Sequence, residues 1–301
     1  MKKRYIYLYL IGWWLFCVAC TGNFRDYNTD LSGITNEDLN IDDNGYGIRL
    51  GIIQQGIYFN YDYGKGKNWP FQLIQNLNAD MFSGYMHDAK PLNGGSNNSD
   101  YNMQDGWNSA MWTHVYSYIF PQIYQSENAT RDTHQALFGI TKILKVEVMH
   151  RVTDYYGPII YRHFANAEKH YQPDTQKEVY YEFFNELDSA VVALIGYIEE
   201  KPESNGFARF DILLDGKYSS WVKFANSLRL RLAMRLASIA PDKARSEIEK
   251  IKENDYGFFE RGSEKVAVST KSGYINPLGE LNLVWNETYM NASMESILTG
   301  Y

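Results

Sequence analysis

A chain of 301 residues, 45% hydrophobic and 22% charged, has the length and apolar content for one large domain or two small ones. Its net charge of −7 becomes more negative once the basic start Lys2-Lys3-Arg4 is removed, and an acidic chain without a basic stripe is a poor nucleic-acid partner, which excludes that class. Aromatic residues are abundant, with 25 Tyr, 15 Phe and 7 Trp, a composition that serves both packed rings and wet binding surfaces.

Taken in chain order, Lys2-Lys3-Arg4 and the fifteen uncharged, mostly apolar residues from Tyr5 to Ala19 read as a signal peptide over residues 1–19. A membrane-spanning helix needs about 20 apolar residues. Ala19 is small and precedes Cys20, the arrangement a lipoprotein signal peptidase accepts, whereas the bulky Phe16 precedes Cys17. Cleavage before Cys20 leaves that residue as the one cysteine of the mature chain, consumed by lipidation, so disulfides and cysteine metal sites are excluded. Several acyl chains on Cys20 give stable membrane anchoring. The polar, acidic run over residues 20–47 then reads as a lipidated tether.

From residue 48 to 301 a helical domain is expected. Apolar residues recur at three- and four-residue spacing over 48–59, 69–82, 107–124, 133–155, 177–198, 218–239 and 242–252. Gly157-Pro158 stops the fourth of these helices, Asp174 or Thr175 can cap the fifth, and Pro241-Asp242 separates the last two. No run of period-two strands appears. The fold class is mainly α, a helical-repeat (tetratricopeptide-like) α/α superhelix in which each helix pair buries its apolar face on the next. Two long irregular loops interrupt it, Asn60 to Asn68 and Gly84 to Gly106, and the second is too long to be a mere connector. The four Asn-x-Ser/Thr sequons, at Asn97, Asn128, Asn286 and Asn291, read as incidental.

Several segments in order resemble the SusD/RagB family of nutrient-binding lipoproteins. They are Asn23-Phe24-Arg25-Asp26-Tyr27-Asn28 near the lipid cysteine, Asp154-Tyr155-Tyr156-Gly157-Pro158-Ile159-Ile160-Tyr161, the block from Tyr171 to Ala190, and the helix WVKFANSLRLRLAMRL from Trp221 to Leu236. Asn276-Pro277-Leu278 and Met294-Glu295-Ser296-Ile297-Leu298 follow in family order. Most of these residues read as scaffold. Trp221, Phe224, Ala225, Leu228 and Leu232 form one stripe, and Asn226, Arg229 and Arg231 on the same helix then need partners.

The resemblance implies a cell-surface lipoprotein of the outer membrane, facing the exterior and held through its lipid anchor. It implies that the protein binds oligosaccharide or peptide nutrients and delivers them to a SusC-like TonB-dependent transporter, with no covalent chemistry and no cofactor. It also implies that the C-terminal part of the helical domain is missing, because the family block entered at Met294 usually runs on to an Asp-Pro-Arg turn. The segment from about Gly273 onward is then expected to pack loosely, its capping layer absent.

Ligand residues vary within the family, so the candidates are chosen by chemistry. A sugar's C–H face meets the face of an aromatic ring, and side-chain amides and carboxylates read its hydroxyls. Tyr85, Tyr101, Asn102, Asp105 and Trp107, in and after the second loop, supply that mixture, with Trp69 and Tyr63 bordering the first; packing at a helix start is the other role open to Trp107 and Trp69. A glycan-degrading enzyme and a purely structural surface lipoprotein are the alternatives. Glu147-x-x-His150 has the spacing of a di-metal carboxylate motif but lacks its second copy, so no metal site is expected.

Overall fold

The structure, a computed structural model, describes residues 44–59, 68–88, 90–165, 172–202, 204, 207–262, 264–268 and 273–300. The expected signal peptide, Cys20 and nearly all of the tether lie outside these residues, as does most of the loop from Asn60 to Asn68. The chain divides into two units, Met1–Gly45 and Tyr46–Tyr301, and apart from the first two residues of the first helix the elements below belong to the second.

Helix α1 spans Asn44–Gln55 and runs into a tight turn at Gly56–Tyr58. It starts before residue 48 because its first turn is polar and carries no apolar signal. Helix α2 enters through Trp69–Phe71 and continues as a π-helical run, Gln72–Asp80. The expected single helix from Trp107 to Tyr124 is instead α3 (Asp105–Asn108), α4 (Ala110–His114), a π-helical run Val115–Ile119, and α5 (Phe120–Thr130). Pro121 explains the last break. It has no N–H to donate and its ring would crowd the carbonyl a turn earlier, and the wider π turn gives that ring room.

Helices α6 (Gln135–Tyr156), α7 (Gln176–Glu200), α8 (Tyr218–Leu236) and α9 (Pro241–Lys250) pack in sequence, α6 on α7, α7 on α8 and α8 on α9. This is the mainly α, tetratricopeptide-like repeat arrangement expected. Gly139 permits the close approach of α6 and α7, since a Cβ there would stand 2.9 Å from the Ala190 carbonyl oxygen. Ile140, Ile143, Leu144, Phe183, Phe184, Leu187, Trp221 and Leu232 are buried at the centre. Burial of such side chains stabilises by roughly 1.5–3 kcal/mol each.

Local bonds set the helix ends. Gly157, with φ +77°, closes α6, and its N–H donates to the Thr153 carbonyl at 2.8 Å. Thr175 caps α7 in a reciprocal box with Glu178: the Glu178 N–H donates to Thr175 Oγ1 at 3.3 Å and the Thr175 N–H to the Glu178 carboxylate at 2.9 Å. Asp174 does different work. It is buried, bridges Ile159 through the backbone, and accepts from the Tyr161 and Arg162 N–H groups at 3.0 and 2.9 Å. Ahead of α8, one Asp211 carboxylate accepts from the N–H groups of Leu213, Leu214 and Gly216 and from Trp221 Nε1 at 2.8 Å.

Of the three polar residues on α8, Asn226 donates to the Gly257 carbonyl at 2.7 Å, and Arg229 pairs with Glu247 and, at 2.6 Å, with Asp188. Arg231 is exposed and not buried as expected, because the α8 stripe does not extend round to it. The chain ends with α10 (Pro277–Gly279, continued as a π-helical run Glu280–Val284) and α11 (Ala292–Thr299). A two-stranded antiparallel sheet also forms, β1 (Met86–Asp88) with β2 (Thr288–Met290). Three residues per strand are too few to show a period of two in sequence, so no strand was expected.

Candidate functional site

The long loop after α2 is a built structure. Gly84, with φ +71°, turns the chain, and the Tyr85 N–H donates to the Asp80 carbonyl at 3.0 Å. Asn98 is buried and pins the loop from below: its Nδ2 donates to the Leu77 carbonyl at 2.9 Å and to Asn108 Oδ1 at 3.1 Å, while its Oδ1 accepts from the Gln104 N–H at 3.2 Å. Asn97 is equally buried and its Nδ2 donates to the Leu92 carbonyl at 3.0 Å, so that sequon nitrogen is consumed inside the fold.

On the outer side of the loop a small amide cluster forms around Ser96. Asn102 Nδ2 and Gln104 Nε2 donate to its Oγ at 2.8 and 3.2 Å, and Asn93 Nδ2 donates to Gln104 Oε1 at 3.1 Å. Tyr101 sits beside this cluster with φ +57°, 72% exposed, its ring 5.9 Å from that of Phe82.

The β1–β2 pair decides which rings face outward. His87 lies opposite Tyr289, and the Asn291 N–H donates to the Tyr85 carbonyl at 3.0 Å, which continues the ladder by one pair. Strand side chains alternate, so Tyr85, His87 and Tyr289 share one face while Asp88 and Thr288 share the other. Thr288 is fully buried and its hydroxyl donates to Asn76 Oδ1 of α2 at 2.9 Å, which identifies its face as the inner one. Gln72 of α2 also donates to Glu287 at 2.5 Å. The outer face therefore presents two tyrosines, 54% exposed at Tyr85 and 45% at Tyr289, with His87 between them. His87 and Tyr289, directly opposite, stand about 5 Å apart at Cβ, and Tyr85, diagonal to Tyr289, about 7 Å, still within reach of aromatic side chains.

Of the residues expected at a site, the structure places Tyr85, Tyr101 and Asn102 on this loop and its sheet. Asp105 is exposed in the first turn of α3, and Trp107, two residues on, is half-buried. Trp69 is elsewhere, exposed at the opposite end of α2, with its ring centre 6.2 Å from that of the buried His114 in an edge-on contact. Tyr63 lies outside the described residues. Tyr289 and His87 were missed, because nothing in the sequence shows that residues 86–88 meet 288–290.

Among the described residues no three His, Cys, Asp or Glu side chains come together as a metal site. In the Glu147–His150 pair of α6, His150 is buried and Glu147 partly buried. His150 Nδ1 meets the Val146 carbonyl at 3.1 Å, and burial, with Arg151 beside it, pushes the imidazole down to about 3. Glu147 faces Arg151 at 3.8 Å.

Fold and surface together define a helical-repeat scaffold that presents an aromatic face rimmed by side-chain amides. The chain belongs to the SusD-like family, described as Susd and RagB outer membrane lipoprotein, whose profile matches residues 26–301. A SusD homologue from Bacteroides vulgatus is similar at 45% identity and TM-score 0.80, over 87% of this chain and 52% of its own. A chitin-binding SusD homologue from Flavobacterium johnsoniae is similar at 35% identity and TM-score 0.79, over 86% of this chain and 52% of its own. A SusD-like protein from Bacteroides thetaiotaomicron, 24% identical, shares the fold at TM-score 0.74 over 85% of this chain and 51% of its own. The chain thus spans about half the length of these solved relatives. No curated protein sequence matches it.

Proposed function

We propose that this protein captures oligosaccharides at the cell surface, without cleaving them, and passes them to a SusC-like TonB-dependent transporter. In this reading Cys20 carries the lipid anchor and the domain faces the exterior. The observation that carries the binding role is the outer face of the β1–β2 sheet, where exposed Tyr85, His87 and Tyr289 lie together. Flat rings accept the C–H face of a sugar, and Asn102 in the adjoining amide cluster supplies polar contacts to its substituents. The chitin-binding relative favours N-acetylglucosamine oligomers as the first ligands to try.

Calorimetric titration of the protein with chitin oligosaccharides, then with starch and xylan fragments, tests this reading. Tyr85→Ala and Tyr289→Ala should each weaken binding by about tenfold while leaving the melting temperature unchanged. Equal affinity in both variants would place the site elsewhere, and release of shortened sugars by the purified protein would show an enzyme. Loss of membrane association in Cys20→Ala tests the anchor.

A further inference from the structure

A second surface, built on different elements, lies where the end of α6, the first turns of α7 and the end of α8 converge. It is a cleft of about 520 Å3 whose walls include Asp154, Lys177, Tyr180, Tyr181, Arg235 and Ile239. Its charges do not cancel. Asp154 is answered by Arg235 at 3.1 Å and by the Tyr180 hydroxyl at 2.5 Å, and Arg235 also donates to Tyr180 at 2.9 Å. Burial and the Asp154 carboxylate push the Tyr180 phenol up to about 12, so it stays a donor to that carboxylate. Lys177 has no acidic partner among the described residues, and its ammonium stands 5.6 Å from the Tyr181 ring centre. The neighbouring Lys243 stands 5.3 Å from the same ring and is paired with Glu247 at 2.6 Å. One positive charge is therefore left over in an otherwise acidic chain.

Beside that charge lies an aliphatic patch. Ile239 is 79% exposed in the turn after α8, next to Leu236 and Ala240 in the cleft, and Met234 is exposed one turn back. Sugars are poorly served here. Tyr180 is buried with its hydroxyl engaged, and the Tyr181 ring has two ammonium groups within reach, so no open aromatic face remains. A carboxylate next to an aliphatic side chain matches both halves of the cleft, and that pairing is what an acidic polypeptide segment offers. We propose that this cleft is a docking surface for a protein partner, which seats an Asp or Glu on Lys177 and a neighbouring Leu, Ile or Val against Ile239.

The full chain, immobilised, is used to select from displayed random-sequence peptides, with counter-selection on Lys177→Glu. An enriched peptide and its amide twin, with Asp and Glu replaced by Asn and Gln, are then titrated by fluorescence anisotropy. Enriched peptides should pair an acidic residue with an adjacent aliphatic one. The amide twin and Lys177→Glu should each weaken binding by about tenfold, and Ile239→Ser should weaken it also. Both substitutions are at exposed side chains, and an unchanged melting temperature checks their folding. Chitin-oligosaccharide titration of the same variants should be unaltered, which separates failure here from failure of the sugar-binding reading. No enrichment, enriched peptides without acids, or equal binding to Lys177→Glu would overturn the proposal. Displacement of the peptide by a tighter-binding oligogalacturonate would assign the cleft to an anionic sugar instead.

Discussion

Lys145 sits among carboxylates that a surface residue would never meet. Its ammonium lies 2.6 Å from Glu186 and 3.2 Å from Glu127, Lys142 completes the group, and the Tyr161 ring centre is 4.9 Å from Lys145 Nζ. Burial alone would raise the Glu186 carboxyl, but Lys145 and Lys142 outweigh it and hold it below the usual range. Removing one member strands the rest, so Lys145→Met should lower unfolding free energy by about 3 kcal/mol in denaturant titration. His150 behaves in the opposite sense to a paired histidine. Its folded pKa, about 3, lies below the ordinary value near 6.5, so between those limits the unfolded chain binds more protons. His114, pushed down to about 4 by burial, adds to this. Stability should therefore fall as pH drops from about 6.5 to 5, before most carboxylates titrate, and His150→Gln should flatten that slope in thermal melts.

Among the elements, the α6–α7 contact is the tightest test of packing. Gly139→Ala places a methyl against the Ala190 carbonyl and should cost about 1–3 kcal/mol, read as a lowered chemical-denaturation midpoint. Helices α6 to α8 were legible in sequence because each carries a long apolar stripe, with Gly157 as a plain stop signal, and the shorter, charged α9 because Pro241-Asp242 marks its start. The region around α2 to α5 was less so. Its π-helical runs shift the side-chain period away from 3.6, and Pro121 and Ser109 break what reads as one helix. For the site, the loop chemistry of Tyr85, Tyr101 and Asn102 was visible as composition. The contribution of Tyr289 was not, since three-residue strands leave no pattern and their pairing is a long-range fact. Trp69 stands apart from the others: it is 38% exposed at the far end of α2, where its ring meets His114 edge-on.

At the scale of the whole chain, apolar exposure is uneven. Helix α11 buries none of its residues, and Leu283, 87% exposed, is joined in this C-terminal stretch by Val284, Met290, Ile297 and Leu298, which are exposed too. The loose packing expected from about Gly273 onward agrees with this for α11, while Tyr274, Leu281 and Thr288 are buried. Patches of this kind drive association in water. Replacing Leu283, Ile297 and Leu298 together with Ser should reduce concentration-dependent light scattering without lowering the melting temperature.

The β1–β2 ladder joins segments about 200 residues apart in the chain, with helices α3 to α10 threaded between them. Closing so long a loop comes at an entropic cost that the intervening packing must already have met. Tyr289 is therefore expected to reach Tyr85 late in assembly. A sugar lying across both rings would act as a clasp on this most distant junction and draw the equilibrium toward the finished fold. If the proposed sugar site is this face, capture competence certifies completed folding: a molecule that has not closed its ladder would have nothing with which to hold a ligand.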